Sequence, residues 1–209
     1  MSKVEEPQGQ YYRTPKKVTL EAYLAMIADG TSRLEYHDGE VVNIKSATDE
    51  HGTICFNLSG HLFACLRNKD CKGYAQDREV WIEGCNKMYY PDLLMVCGEH
   101  LKKQMSENVA ATINPTVVIE VLSDSTERYD LKIKSKCYKK LSSLKQIIYV
   151  RQDEKDVMVL QKAENGKDWY HIEFSEDDEV VEIGDCKVTI QEIYEGIIFT
   201  NHPQHSSDK

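Results

Sequence analysis

Apolar positions along this chain change period several times, and each change marks a predicted element. Behind Thr19, the residues Leu20, Tyr23, Leu24 and Ile27 share one face at helical spacing and Gly30 closes the segment, which predicts a short capped helix. The pattern then turns to strands, with RLEYH and EVVNI flanking Asp38-Gly39, the strong short-range hairpin signal. Ser46 and Thr48 lead into a second helix with Ile54, Cys55, Leu58, Leu62 and Cys65 on one stripe, and His51 falls on that stripe one turn earlier. Strands are predicted at GYAQDREVWIE, YYPDLLMVC and PTVVIEVLS, followed by a helix from Thr126 to about Leu141 that Ser123, Ser125 and Thr126 would cap. QIIYVRQD, DVMVLQKAE, WYHIEFS and EVVEIG read as further strands, and Ile190 to Glu195 as a last short helix. Such a mixture predicts an α/β (α+β) fold with a mixed sheet flanked by helices. Residues 1–17 and 201–209 are polar and aperiodic, so they are expected to be flexible ends of a single domain spanning 18–200.

Composition narrows the class without changing that picture. The formal charge of −9 counts against a protein that grips nucleic acid by bulk electrostatics. The charge is uneven, however: Arg128 to Lys145 holds seven basic residues against one acid, Asp130, while Glu173 to Glu182 is strongly acidic. Lys132 and Lys136 belong to this basic run, which offers either a face for phosphate or an ordinary solvated helix surface. No apolar run is long enough to span a bilayer and no basic-then-apolar leader is visible, so a cytoplasmic protein without membrane attachment is expected. Seven scattered cysteines, odd in number and without a CxxC pair, are expected to be buried reduced thiols rather than a disulfide framework or a zinc site.

The chemistry begins with one misplaced charge. Val117 to Leu122 reads as a buried parallel strand, yet Glu120 stands in its middle, where an unpaired carboxylate costs several kcal/mol or takes up a proton. At 100° per residue the third helix turns Ile133, Lys134, Cys137, Tyr138, Leu141 and Leu144 inward with Lys134 near the centre, while Lys132, Lys136, Lys139 and Lys140 fall largely on the other side. An inward ammonium needs a carboxylate or phosphate partner, and Glu120 is close in sequence. Asp92 follows Pro91 and opens an apolar run, at the start or bend of a strand. Two carboxylates and a nearby lysine are what a magnesium-dependent phosphodiesterase requires: hard oxygen ligands for an octahedral cation, and a lysine that orients or helps deprotonate the attacking water or steadies developing charge.

YYPDLLMVC followed by PTVVIEVLSDSTERYDLKIKSKCYKKLSSLKQIIYV resembles the signature of a large family of restriction-endonuclease-like proteins, mostly of unknown function, within the PD-(D/E)XK nuclease superfamily. RLEYHDGEVVNI and the helix with His51 resemble that family's amino-terminal half, so the likeness covers roughly residues 18 to 198. It implies a restriction-endonuclease-like core, with Asp92 and Glu120 as the motif acids and the Val121 carbonyl as a further metal ligand. The chain departs from the superfamily at Leu122, where the motif lysine would stand; in the resembling family the following helix supplies it, and Lys134 occupies the matching position. Glu35 matches an acidic position of that family and would complete the metal site directly or through water. The implied activity is Mg2+- or Mn2+-dependent hydrolysis of DNA by a homodimer; the alternative is a catalytically silent relative that binds nucleic acid or assembles with a partner.

Several residues remain open between two roles. His51 is either a contact to substrate phosphate or to a metal-associated water, or a satisfied core histidine. Gln76, with Asp77, either positions water or ends a strand. Tyr129 and Tyr138 are read as packing residues, and Trp81 and Trp169 as core or interface.

Overall fold

The computed structural model describes residues 17–44, 46–123 and 127–199. The expectations for the chain ends 1–16 and 200–209, and for Ser125 and Thr126 as caps, lie outside these residues. The first helix, α1 (Leu20–Ile27), starts where the Thr19 hydroxyl accepts from the Ala22 N–H. The hairpin strands β1 (Leu34–His37) and β2 (Glu40–Asn43) pair antiparallel in the register set by Asp38 and Gly39, both at positive φ (53° and 99°), as a two-residue hairpin turn demands. The long helix α2 (Asp49–Leu66) is capped by Thr48, which accepts from the His51 N–H, and it buries Ile54, Cys55, Leu58, Leu62 and Leu66. All three elements follow the sequence pattern.

GYAQDREVWIE does not form one strand. It gives β3 (Cys71–Ala75) and β4 (Val80–Ile82), separated by Gln76 at φ 48°, and the two strands enter different sheets. A residue with positive φ breaks the alternation that an extended run needs. After a 3₁₀ turn (Glu83–Cys85) come β5 (Lys87–Tyr89), β6 (Leu93–Cys97), β7 (Lys102–Gln104), β8 (Ala110–Thr112) and β9 (Val117–Leu122). β5, β7 and β8 are three residues each, too short to register as periodic patterns.

The third helix is not a uniform α-helix. It runs as α3 (Glu127–Tyr129), a π-helical segment (Asp130–Lys134) in which the Ser135 N–H donates to the Asp130 carbonyl, and α4 (Ser135–Tyr138). A π turn holds more residues than an α turn. The 100° wheel therefore misplaces Ile133, which is 44% exposed, while Lys134 is 8% exposed and Cys137, Tyr138, Leu141 and Leu144 are buried as expected. The chain continues through β10 (Gln146–Arg151), β11 (Val157–Lys162), β12 (Trp169–Phe174), β13 (Val180–Ile183) and β14 (Cys186–Thr189) to α5 (Ile190–Ile193), which begins with a Thr189–Glu192 capping box.

Two mixed six-stranded sheets result, ordered β2-β1-β5-β4-β8-β7 and β12-β11-β10-β9-β6-β3, with β13-β14 as a separate hairpin. The fold is thus α+β with large mixed sheets flanked by helices. In the second sheet β9 and β10 are parallel and β6 and β9 antiparallel, so β9 lies in the interior of the sheet. Its alternate residues point to opposite faces. Val117, Ile119 and Val121 pack with α2, β14 and α5, whereas Val118 and Leu122 pack with Cys137, Tyr138, Leu141 and Tyr149. Glu120 has the phase of Val118 and Leu122, and so faces the helix that carries Lys134.

The expectation of reduced thiols is not met. Six of the seven cysteines pair as Cys65–Cys186, Cys71–Cys97 and Cys85–Cys137, and Cys55 is free and buried. The partners lie 121, 26 and 52 residues apart, so only the packing of α2 on β14, of β3 beside β6 and of the 3₁₀ turn on α4 brings them together. Disulfides persist in oxidising surroundings and are reduced in most cytosols, so the redox state of the compartment decides whether these pairs stay closed. Among the described residues no helix is long and apolar enough to cross a membrane. Alkylation of the unfolded, unreduced protein is expected to label Cys55 alone; mass spectrometry finding all seven cysteines labelled would overturn the pairing.

Candidate active site

Three separate segments deliver the charged groups to one buried place. β9 supplies Glu120, the first hairpin strand β1 supplies Glu35, and the π-helical segment supplies Asp130 and Lys134, all four buried. The Lys134 Nζ lies 3.0 Å from Glu35 Oε1, 3.3 Å from Glu120 Oε1 and 3.3 Å from Asp130 Oδ1. Glu120 Oε1 also accepts from the Tyr138 hydroxyl at 2.7 Å. Glu35 accepts from the Tyr90 N–H through Oε1 and from His37 Nε2 through Oε2 at 2.9 Å. His37 Nδ1 meets the Tyr129 hydroxyl at 2.9 Å. His37 and Tyr129 stack nearly parallel, and Tyr129 reaches the Tyr89 hydroxyl at 3.3 Å.

Asp92 stands at the edge of this cluster, one residue before Leu93, which pairs with Ile119 of β9. Its Oδ2 accepts from the Val121 N–H at 2.7 Å, and its Oδ1 lies 3.2 Å from His51 Nε2. His51 Nδ1 in turn lies 3.7 Å from the Cys55 sulfur. Gln76 touches this region through its backbone: its N–H donates to the Asp92 carbonyl and its carbonyl accepts from Arg33. Lys132 and Lys136 are exposed on the helix whose Lys134 is buried. The structure therefore gathers Glu35, Glu120 and Lys134 directly, ties Asp92 to the strand of Glu120 through Val121, sets His51 on Asp92, and leaves Lys132 and Lys136 in solvent.

The electrostatics follow from burial and from the excess of carboxylates. Burial pushes the Glu35 carboxyl up, but the Lys134 ammonium, His37 and the Tyr90 amide outweigh it and hold Glu35 at about 2. Glu120 goes the other way: burial, reinforced by Asp130, Asp92 and Glu35, pushes it up to about 8 against the pull of Lys134. Burial opposes charge on Lys134, yet Glu120, Glu35 and Asp130 hold it well above the ordinary lysine value. His51 is raised to about 10, because its hydrogen bonds to Asp92 and Cys55 outweigh its burial. Four carboxylates thus face two cationic side chains, Lys134 and protonated His51, and the proton on Glu120 offsets part of the remaining negative charge. Glu120 and His51 are groups that a divalent cation would relieve of protons, and oxygen donors on Asp92 and Glu120 suit a hard cation. The residues fit such a metal.

Sequence reasoning missed Asp130, although it is the one acid in the basic run and sits four residues before Lys134. His37, read only as the end of a hairpin strand, orients Glu35. Tyr129 and Tyr138 pack in the core as expected, and their hydroxyls also bond to site residues. Trp81 is buried, with its indole beneath Lys103.

The family described as "Uma2: Putative restriction endonuclease" matches residues 20–187. The chain belongs to the Uma2 family. Two proteins of Synechocystis sp. (strain ATCC 27184 / PCC 6803 / Kazusa), both named only as uncharacterized, are similar to this Uma2 chain. One is 27% identical over 66% of this chain and 77% of its own length; the other is 26% identical over 88% and 94%. The crystal structure of a protein from Anabaena variabilis ATCC 29413, titled a putative nuclease, superposes with a TM-score of 0.67. The match covers 85% of this chain and 97% of that one at 16% identity, which establishes a common fold.

Removing the ammonium leaves buried carboxylates uncompensated, so Lys134→Met is expected to lower the unfolding free energy in urea by about 3–5 kcal/mol. A loss below about 1 kcal/mol would show that the carboxylates do not depend on it. The pH dependence of the metal-free protein has a definite sign. Glu120 binds a proton in the folded state that it releases in the unfolded state between about 4.5 and about 8, so stability falls as pH rises through that window. His51 adds a fall of the same sign between 6.5 and about 10. Denaturation in chelator at a series of pH values is expected to show the decline, with Glu120→Gln removing its lower part; an unchanged slope in that variant would contradict the raised value.

Proposed function

We propose that this Uma2 protein is a divalent-metal-dependent nuclease that hydrolyses phosphodiester bonds of DNA. The observation that carries this reading is the buried Lys134 held by Glu35, Asp130 and Glu120, the last of them on the strand that Asp92 grips through Val121. An ion pair kept only for architecture needs one carboxylate. Three around one ammonium, with Asp92 beside them, form an anionic pocket that is costly unless cations enter it.

In this reading Asp92, Glu120 and the Val121 carbonyl hold Mg2+ or Mn2+. Bound there, such a cation would polarise a phosphoryl oxygen and favour ionisation of a water. Lys134, charged throughout the physiological range, orients that water or steadies charge developing on phosphate; it does not act as the proton acceptor. Glu35 fixes the position of the ammonium, and the His37–Tyr129 pair fixes Glu35. Lys132 and Lys136, exposed on the solvent side of the same helix, would meet the sugar-phosphate backbone, while His51 and Gln76 stand beside Asp92 on the other flank. A two-fold dimer would present two such sites to the two strands of a duplex.

Supercoiled plasmid incubated in Mg2+ or Mn2+ is expected to be nicked by the wild-type protein. Asp92→Asn and Glu120→Gln, which preserve size, should nick about 10²-fold more slowly or worse while melting as folded proteins. Equal nicking by all three would identify a contaminant. If the wild type fails with both metals on plasmid, linear duplex and single strands, the chain is a catalytically silent binding protein, a reading to which its charge of −9 already lends weight.

A further inference from the structure

We infer that His51 and Cys55 join Asp92 in a cation subsite that takes a borderline transition metal of the zinc or cobalt(II) class in preference to magnesium. The inference shares Asp92 with the nuclease reading but requires no catalysis. His51 and Cys55 stand one turn apart on α2 and so project from the same face of the helix. Asp92 comes to meet them from the start of β6. One donor atom from each of the three lies within 4.8 Å of the other two, and among the described residues no other group of three His, Cys, Asp or Glu side chains converges in this way. Glu35, Glu120 and Asp130 gather instead on the Lys134 ammonium.

The donor set decides which metal would be held. Around a tetrahedral cation with bonds of about 2.0–2.3 Å, neighbouring donors stand roughly 3.3–3.8 Å apart, so shifts of about 1 Å bring the three onto one ion. Magnesium prefers an octahedron of oxygens and gains little from a thiolate and an imidazole. A nitrogen, a sulfur and an oxygen donor suit zinc or cobalt(II). A metal takes cysteine as the thiolate and histidine through a bare ring nitrogen, so cation and protons compete for such a donor set.

Three further features favour the assignment. Cys55 is the free cysteine, whereas the other six are paired. Asp92 is oriented by the Val121 N–H on Oδ2, which turns Oδ1 toward His51, the kind of outer contact that fixes a metal ligand. The His51 and Asp92 side chains keep 14% and 17% of their surface in solvent, so a cation can enter and a fourth position stays open to water or phosphate.

Cobalt(II) chloride titrated into the unreduced full-length protein tests this directly, because a thiolate bound to cobalt gives an intense near-ultraviolet charge-transfer band. One band-forming cobalt per chain is expected, displaced by zinc chloride but not by a hundredfold excess of magnesium over cobalt. Cys55→Ser should abolish the band and weaken cobalt binding by about tenfold or more. His51→Asn should weaken it comparably, with Cys55→Ser melting like the wild type in chelator. Absence of the band in the wild type, its survival in Cys55→Ser, or its displacement by magnesium would overturn the subsite. Plasmid nicking in magnesium, measured in parallel, keeps the two proposals apart. Nicking without a band sinks the subsite alone, and a band without nicking under any metal sinks the nuclease reading alone.

Discussion

The whole arrangement depends on one ammonium. Lys134 is buried against three carboxylates, and a charge of either sign taken out of water is tolerable only with partners of the other sign. Glu35 belongs to the first sheet, Glu120 to the second, and Asp130 to the helix between β9 and β10. The ammonium is therefore an electrostatic clasp between layers that also meet through apolar contacts such as Tyr89 with Tyr138 and through the hydrogen bonds of Tyr129 with His37 and Tyr89. The π-helical segment serves the clasp, since its widened turn places Asp130 and Lys134 together on the buried side and turns Ile133 out to solvent.

The strand β9 explains how so polar a cluster coexists with a well-packed core. Its alternation sends Val117, Ile119 and Val121 to one hydrophobic cluster and Val118 and Leu122 to another, so replacing a single residue of the second set with Glu120 costs one apolar position and leaves the first face intact. Parallel pairing with β10 sets Tyr149 opposite Glu120, and Tyr149 bonds to the Asp130 carbonyl rather than competing for the carboxylate. Apolar packing positions the strand, and hydrogen bonds from Tyr138 and Lys134 satisfy the one polar side chain that it buries.

What was legible in the sequence was what repeats or punctuates. The Asp38-Gly39 turn, the stripe of α2 and the capping threonines Thr19 and Thr48 are local signals, and they placed their elements correctly. Glu120 was legible because it violates an apolar run, and Lys134 because it falls among buried positions of a helix. Asp130 escaped notice because an acid in a basic run resembles an ordinary surface pairing, and only the burial of Lys134 gives it a different meaning. The break at Gln76 and the three disulfides escaped for another reason. Whether an extended segment changes sheet, and which cysteines meet, are decided by packing between elements up to 121 residues apart in sequence, and no local pattern encodes that.

The two halves of the site differ in how permanent their charges are. Three carboxylates hold Lys134 well above the ordinary lysine value and so in its charged form, and Glu35 at about 2 is ionised. Glu120 at about 8 and His51 at about 10 hold protons that answer the same excess of negative charge. A divalent cation offers more positive charge than either proton at a comparable distance, so these are the protons it would replace. The fold thus separates a fixed frame, Glu35 with Lys134, from an exchangeable border, Glu120 with Asp92 and His51. Val121 joins them, because its N–H fixes Asp92 while its neighbour Glu120 answers to Lys134. A cation entering at the border would meet side chains already oriented, Asp92 by the Val121 N–H and Glu120 by Tyr138 and Lys134.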